Sequence, residues 1–214
     1  MKLWHCHDAR SLRALWALEE MNLEYDLEVM PFPPRFLHDG YLDINVLGTV
    51  PYFVDGDAHM TESTAICHYL IEKYQKYEFG LRPDQAQFGQ YLNWLYHSDA
   101  TLTFPQTVFL RYTRLEPDET KAAVGNDCRK WYLARLRMLN KRVMDHEFLV
   151  ADRFTIAAIA CGYALLLGEN LGINENYKPQ TLDYLARLKS RKGFQRAQTA
   201  QLTHAPAEVQ GPPG

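Results

Sequence analysis

The sequence predicts a small α/β domain on a mixed sheet, followed by an all-helical domain. Two observations carry this. Strand and helix patterns alternate over the first eighty residues, and from about residue 83 onward only long helix-period segments appear. The change of composition at YEFGLRPDQ marks the linker, so residues 1–78 and 84–201 are read as the two domains. The segment 202–214, THAPAEVQGPPG with the residue before it, is rich in proline and glycine and reads as a tail.

Taken in order, KLWH is short and β-prone, and SLRALWALEEM places Leu12, Leu15 and Trp16 on one helical stripe. YDLEVM alternates as a second strand does. The loop PFPPRF follows, then a short helical piece near DGYLDIN. PYFV and AHMT flank an Asp-Gly tip, the signal of a hairpin. A helix starts at Ser63, with Ile66, Tyr69, Leu70 and Tyr74 on one face. A right-handed crossover makes the first two strands parallel, and the hairpin adds an antiparallel pair. Later helices are expected in FGQYLNWLYHSDATL, CRKWYLARLRMLNKRVM, TIAAIACGYALLLG and TLDYLARLKS.

Composition narrows the classes of function. The chain has 214 residues, 47% of them hydrophobic, and a formal net charge of -3, with no basic stripe, which argues against a nucleic-acid partner. No apolar run approaches the ~20 residues that span a bilayer, and MKLWHCHD lacks the pattern of a signal peptide, so a cytoplasmic protein with no membrane partner is expected. The four cysteines form no CxxC pair and read as free thiols. The cluster His5, Cys6, His7 and Asp8 invites a metal reading. On a strand, however, Cys6 points away from His5 and His7, and no second ligand cluster follows, so no metal is expected.

The most specific segment is GTVPYFVDGDAHMTESTAICHYL. Val50-Pro51 opens a strand. A cis bond there turns the backbone groups of Val50 outward, free to pair with an extended ligand. Glu62-Ser63 opens a helix one hairpin later. Its free N–H groups favour a carboxylate, Ser63 stands at the cap, and Glu62 can accept an ammonium group. One end is a clamp for a peptide backbone, the other a site for an α-amino acid.

In that order of elements, with Val50-Pro51 and Glu62-Ser63 so placed, the chain resembles the cytosolic glutathione transferases of bacterial type. Those have a thioredoxin-like domain followed by an all-helical one, and the resemblance runs from KLWH through GFQRA. It implies glutathione as co-substrate, with Val50 pairing the cysteinyl part, Pro51 fixing that edge, and Glu62 and Ser63 holding the γ-glutamyl end. In Asn45-Val46-Leu47-Gly48-Thr49-Val50-Pro51, Thr49 stands where the family often has Lys or Gln at the glycyl carboxylate. Arg35 or His38 is the expected substitute. The family activates the thiol with a hydroxyl or thiol at the start of the first helix, and the candidates here are Ser11, Arg10 and Cys6. Arg10 takes the place of the cysteine used by the bacterial branch, and a bound thiolate would offset its charge at the helix N-terminus. Cys6, on the strand, reads rather as a buried structural thiol.

The resemblance further implies a homodimer, with Asp99 reaching the γ-glutamyl amine across the interface, and a pocket for a small, largely apolar electrophile to which Tyr96, Phe104 and Tyr112 contribute. In the family a later helix opens with Ser/Thr-x-x-Asp; here Thr155 is present but Ala158 takes the acidic place, so half of that cap is missing. The implied activity is attack of the activated thiolate on the electrophile. Other activities of the same scaffold stand beside it: a glutathione-dependent isomerase, lyase or reductase, or a member that binds without catalysing.

Overall fold

The computed structural model describes residues 1–204; most of the expected tail, residues 205–214, lies outside the described residues. The chain divides into two compact units. One comprises Met1–Lys76 together with residues 190–204, the other Tyr77–Lys189.

The first unit has the thioredoxin-like plan. Strands β1 (Lys2–Cys6), β2 (Asp26–Met30), β3 (Tyr52–Asp55) and β4 (Ala58–Met60) form one sheet in the order β2-β1-β3-β4. β1 pairs parallel with β2 and antiparallel with β3, and β3 with β4 antiparallel across the hairpin. Helix α1 (Leu12–Met21) is more deeply enclosed than its one apolar stripe suggests, for every residue from Leu12 to Leu18 is buried, Arg13 included. The Pro-rich loop contains a helical turn of its own, α2 (Pro34–Leu37), just after a cis bond at Phe32-Pro33. A second short turn, α3 (Tyr41–Ile44), precedes β3, and α4 (Ser63–Tyr74) follows the hairpin.

The last helix of the chain belongs to this unit, whereas the sequence reading carried the helical domain through residue 201. The partners on α1 give the reason. Arg191 forks onto Glu20 at 2.8 and 2.9 Å, Arg196 Nε reaches Glu19 Oε2 at 2.8 Å, and Phe194 meets the Trp16 ring edge-on at 4.9 Å.

The second unit is helical throughout: α5 (Phe88–Tyr96), α6 (Phe104–Leu110), α7 (Glu119–Arg135), α8 (Arg137–Asp145), α9 (Ile156–Asn170) and α10 (Pro179–Lys189). The final helix of the first unit is then α11 (Lys192–Thr203). α9 is buried on all sides from Ile156 to Gly168 and forms the axis of the second unit, as its unbroken apolar composition requires. π-helical turns at His97–Thr103 and Arg111–Leu115, which the sequence pattern did not announce, flank α6. Thr155 caps α9 with its backbone only, so the reciprocal cap lacks both halves, not one.

Candidate glutathione site

The strand register brings three segments to one end of the sheet. Trp4 faces Tyr52, so the C-terminal end of β1 and the loop beyond it lie beside Pro51 and Val50. Phe53 faces Met60, which sets the exit of β4, and with it Glu62 and Ser63, at that same end. Ligands of open α/β sheets bind in such a place, beyond the strand ends.

The Val50-Pro51 bond is cis. The Val50 side chain packs on the cluster of Trp4, Cys6, Met30 and Tyr41, and its peptide edge lies outside the ladder that starts at Tyr52. The preceding carbonyl, that of Thr49, accepts hydrogen bonds from Tyr41 Oη at 2.7 Å and Asn45 Nδ2 at 2.8 Å. Both donors hold the approach to Val50 in place. Gly48 is required in this turn: its φ is +60°, and a Cβ would come within 2.7 Å of the Arg35 Cβ.

At the other end of the hairpin, Glu62 is the N-cap of α4, exposed and without a side-chain capping bond, so the helix terminus is open. Ser63 is buried, and its hydroxyl accepts a hydrogen bond from Arg13 Nη1 at 3.2 Å. The hydroxyl proton of Ser63 has no acceptor among the described residues. It is free to donate to a carboxylate, and the enclosed guanidinium behind it adds positive charge to that of the helix end. Sequence reasoning missed Arg13. The one available signal was a charge between the apolar residues Leu12 and Ala14 of a helix that turns out to be buried all round.

The expected thiol-activating hydroxyl is placed differently. Ser11 is 0% exposed, and its Oγ lies 2.8 Å from His5 Nδ1 and 3.4 Å from the Cys6 N–H. It occupies the N-cap of α1 with helical dihedrals, φ -61° and ψ -17°, and makes no side-chain capping bond. The expectation that Ser11 presents its hydroxyl to a ligand is therefore corrected, because in this fold the hydroxyl is spent on His5. Arg10, one residue earlier, is half-buried at the start of the same helix. Cys6 is buried, its Sγ donates to the Pro31 carbonyl at 3.4 Å, and desolvation pushes the thiol up to about 12, so it stays protonated. All four cysteines are free, and no group of three or more potential metal ligands occurs among the described residues.

For the glycyl end, Thr49 and Arg35 are exposed. The His38 ring is faced by Glu28 at 3.5 Å, which competes with any carboxylate ligand, while Arg35 makes no ion pair among the described residues and lies over the Phe36 ring at 4.5 Å. In the helical unit, Tyr96 and Phe104 are exposed, at 71% and 56%, and Tyr112 is half-buried beneath Arg111 and Lys121. Asp99 lies in the π-helical turn, half-buried. Tyr91, on α5, is a core residue.

Known proteins share this fold. The sequence profile of the glutathione S-transferase N-terminal domain matches residues 9–73. Glutathione S-transferase 3 of Schizosaccharomyces pombe is 26% identical over 166 residues, 72% of this chain and 69% of that protein. In a ternary complex of BphK, a bacterial enzyme of this kind, the fold superposes with a TM-score of 0.83 at 22% identity, covering 94% of this chain and 99% of the other. A sphingomonad glutathione S-transferase complexed with glutathione gives 0.80 at 20% identity over 94% and 98%. The matched profile, the relatives in sequence and the shared architecture converge: residues 9–73 carry a glutathione S-transferase N-terminal domain, and the chain is similar to glutathione S-transferases over most of its length.

Proposed function

We propose that the protein is a glutathione transferase that activates the thiol of glutathione for attack on a small, largely apolar electrophile. Glutathione would lie across the sheet end as an extended peptide. The N–H and C=O of Val50 pair with its cysteinyl residue, and Pro51 fixes that edge. Ser63 and the α4 terminus, backed by Arg13, take the γ-glutamyl carboxylate, and Glu62 takes the amine. At the glycyl carboxylate Arg35 is favoured over His38, with Thr49 beside it. Arg10 and the N-terminus of α1 lower the cost of the thiolate, and Ser11 supports them from inside the turn. The thiol proton leaves to solvent, a C–S bond forms at the electrophilic carbon, and the leaving group departs with its electron pair. Tyr96, Phe104 and Tyr112 are the residues assigned to the electrophile. The sphingomonad relative, crystallised with glutathione, supports the choice of co-substrate. We take the protein to act in the cytoplasm as a homodimer; no helix among the described residues is long and apolar enough to cross a membrane.

The observation that carries this reading is the open α4 terminus, with a serine proton free to donate and a buried guanidinium behind it. Calorimetry with glutathione tests it. Ser63→Ala removes one hydrogen bond to a charged group, about 1.5 kcal/mol, and should weaken binding roughly tenfold. Wild-type affinity in that variant would refute the assignment.

A second reading has an observation in its favour. Neither Ser11 nor Cys6 offers a hydroxyl or thiol to the site, as expected of a member that binds glutathione without activating it. An ultraviolet titration of bound glutathione decides between the two: a depressed thiol pKa supports the transferase, and an unshifted one leaves a binding protein. Disulfide reduction is disfavoured, since Cys6 is buried and protonated.

A further inference from the structure

A closed chain of hydrogen bonds links the loop between β1 and α1 to the C-terminal helix. Gln201, fully buried on α11, has its Nε2 at 2.8 Å from Asp8 Oδ1 and its Oε1 at 3.2 Å from the Asp8 N–H. The same Oε1 lies 2.9 Å from His5 Nε2, a contact between residues 196 apart in sequence. His5 Nδ1 in turn meets Ser11 Oγ at 2.8 Å.

The chemistry of the partners fixes every proton. The Asp8 N–H can only donate and the Asp8 carboxylate can only accept, so the Gln201 amide has one possible orientation. Its oxygen then faces His5 Nε2, which must carry the ring proton. Nδ1 is left as a lone pair, and the Ser11 hydroxyl must donate to it. Burial lowers the His5 pKa to about 4, with Gln201 and Asp8 raising it and His7 lowering it further, so the ring is neutral and the arrangement holds at neutral pH.

The chain ends on the segment where the sulfur of glutathione is expected. Asp8 stands in the left-handed region at φ +52°, a conformation that asks to be held, and Gln201 holds it at both its N–H and its carboxylate. α11 is a firm base for such a clamp, fastened to α1 through Arg191, Arg196 and Phe194.

We infer that Gln201 is a positioning residue for the thiol end of the glutathione site: without touching the ligand, it sets the shape of loop 7–11 and so the electrostatic surroundings of the sulfur. This rests on the glutathione reading above. The test uses the full-length protein with Gln201→Leu, and with Gln201→Met, unbranched and closer in length, in case leucine prevents folding. The thiol pKa of bound glutathione is read from thiolate absorbance, and the Kd of S-methylglutathione, which has no thiol, is measured beside it. Loss of the clamp should raise the bound thiol pKa by about half a unit, about a threefold change in the acid dissociation constant. The Kd of S-methylglutathione should stay within about twofold. A folded variant with the wild-type thiol pKa overturns the inference. If the wild type itself does not depress the pKa, it is the transferase reading that fails. Nitrogen NMR then judges the clamp on its own. Protonation of His5 at Nε2, with loop 7–11 amides that shift in the variants, upholds it; protonation at Nδ1, or amides that stay in place, overturns it.

Discussion

Two buried serines at one end of the sheet have opposite hydrogen-bond polarity, and that difference separates their roles. Ser63 accepts from Arg13 and keeps its proton for a ligand, whereas Ser11 gives its proton to His5. Both positions were legible in the sequence as starts of helices. The direction of the Ser11 bond was not, because it depends on Gln201, nearly two hundred residues away, and on the burial of His5. That burial has a measurable consequence. The folded protein binds a proton at His5 only below about pH 4, while the unfolded chain does so near 6.5, so within this window the unfolded state holds more protons and acid favours unfolding. As pH falls from about 6.5 to 4, the wild type should lose about 3 kcal/mol through this group. Urea unfolding at several pH values measures it. His5→Gln, although less stable at neutral pH, should show a correspondingly flatter profile. His97, also lowered by burial and by Arg135, acts in the same direction in both proteins, so the difference between them isolates His5.

At the scale of elements, α9 was the most legible helix, since its apolar run has no other stable fate, yet what fills its flank was not. Gly168 leaves room for the Tyr177 hydroxyl, with Tyr132 Oη and Gln106 Oε1 at 3.1 Å from where a Cβ would stand. The two tyrosines bond to each other and to α9 carbonyls, Tyr132 to Ala164 at 3.2 Å and Tyr177 to Leu165 at 3.0 Å. In an open helix Gly→Ala gains about 1 kcal/mol. Here the added methyl would overlap the Tyr177 hydroxyl and displace the pair, and overpacking of that kind outweighs the gain. Gly168→Ala should cost about 3 kcal/mol, read as a lower urea midpoint with unchanged slope. The opposite change is predicted in the turn before α9. Ala151 holds φ +55°, where its Cβ is a liability, so Ala151→Gly should stabilise by roughly 0.5–1 kcal/mol in the same assay. The π-helical turns around α6 escaped the sequence reading for a related reason. Each closes a wider i→i+5 turn, which shifts the phase of the helical pattern without interrupting it.

For the molecule as a whole, the order of strands and the helical second half followed from local pattern, but the membership of α11 did not. Its attachment to the first unit depends on ion pairs with Glu19 and Glu20 that no local pattern reveals. Assembly is the remaining question at this scale. The first unit exposes Phe36 at 73%, Leu37 at 58%, Val46 at 86% and Leu47 at 57%, all from α2 to the turn before Val50. So many large apolar side chains within one stretch mark a surface that is covered in use, and the homodimer expected of the family is the occupant we propose. Light scattering should report a dimer for the wild type and a monomer for Val46→Glu, in which a charge would be buried unpaired. The same pair of proteins tests the role assigned to Asp99. If Asp99 reaches the γ-glutamyl amine of the partner subunit's ligand, Asp99→Asn should weaken glutathione binding severalfold in the dimer. In the Val46→Glu background the same substitution should have no further effect. Such a double-mutant cycle measures the coupling directly. Equal losses in both backgrounds would mean that Asp99 acts within its own chain, and no loss in either would remove it from the site.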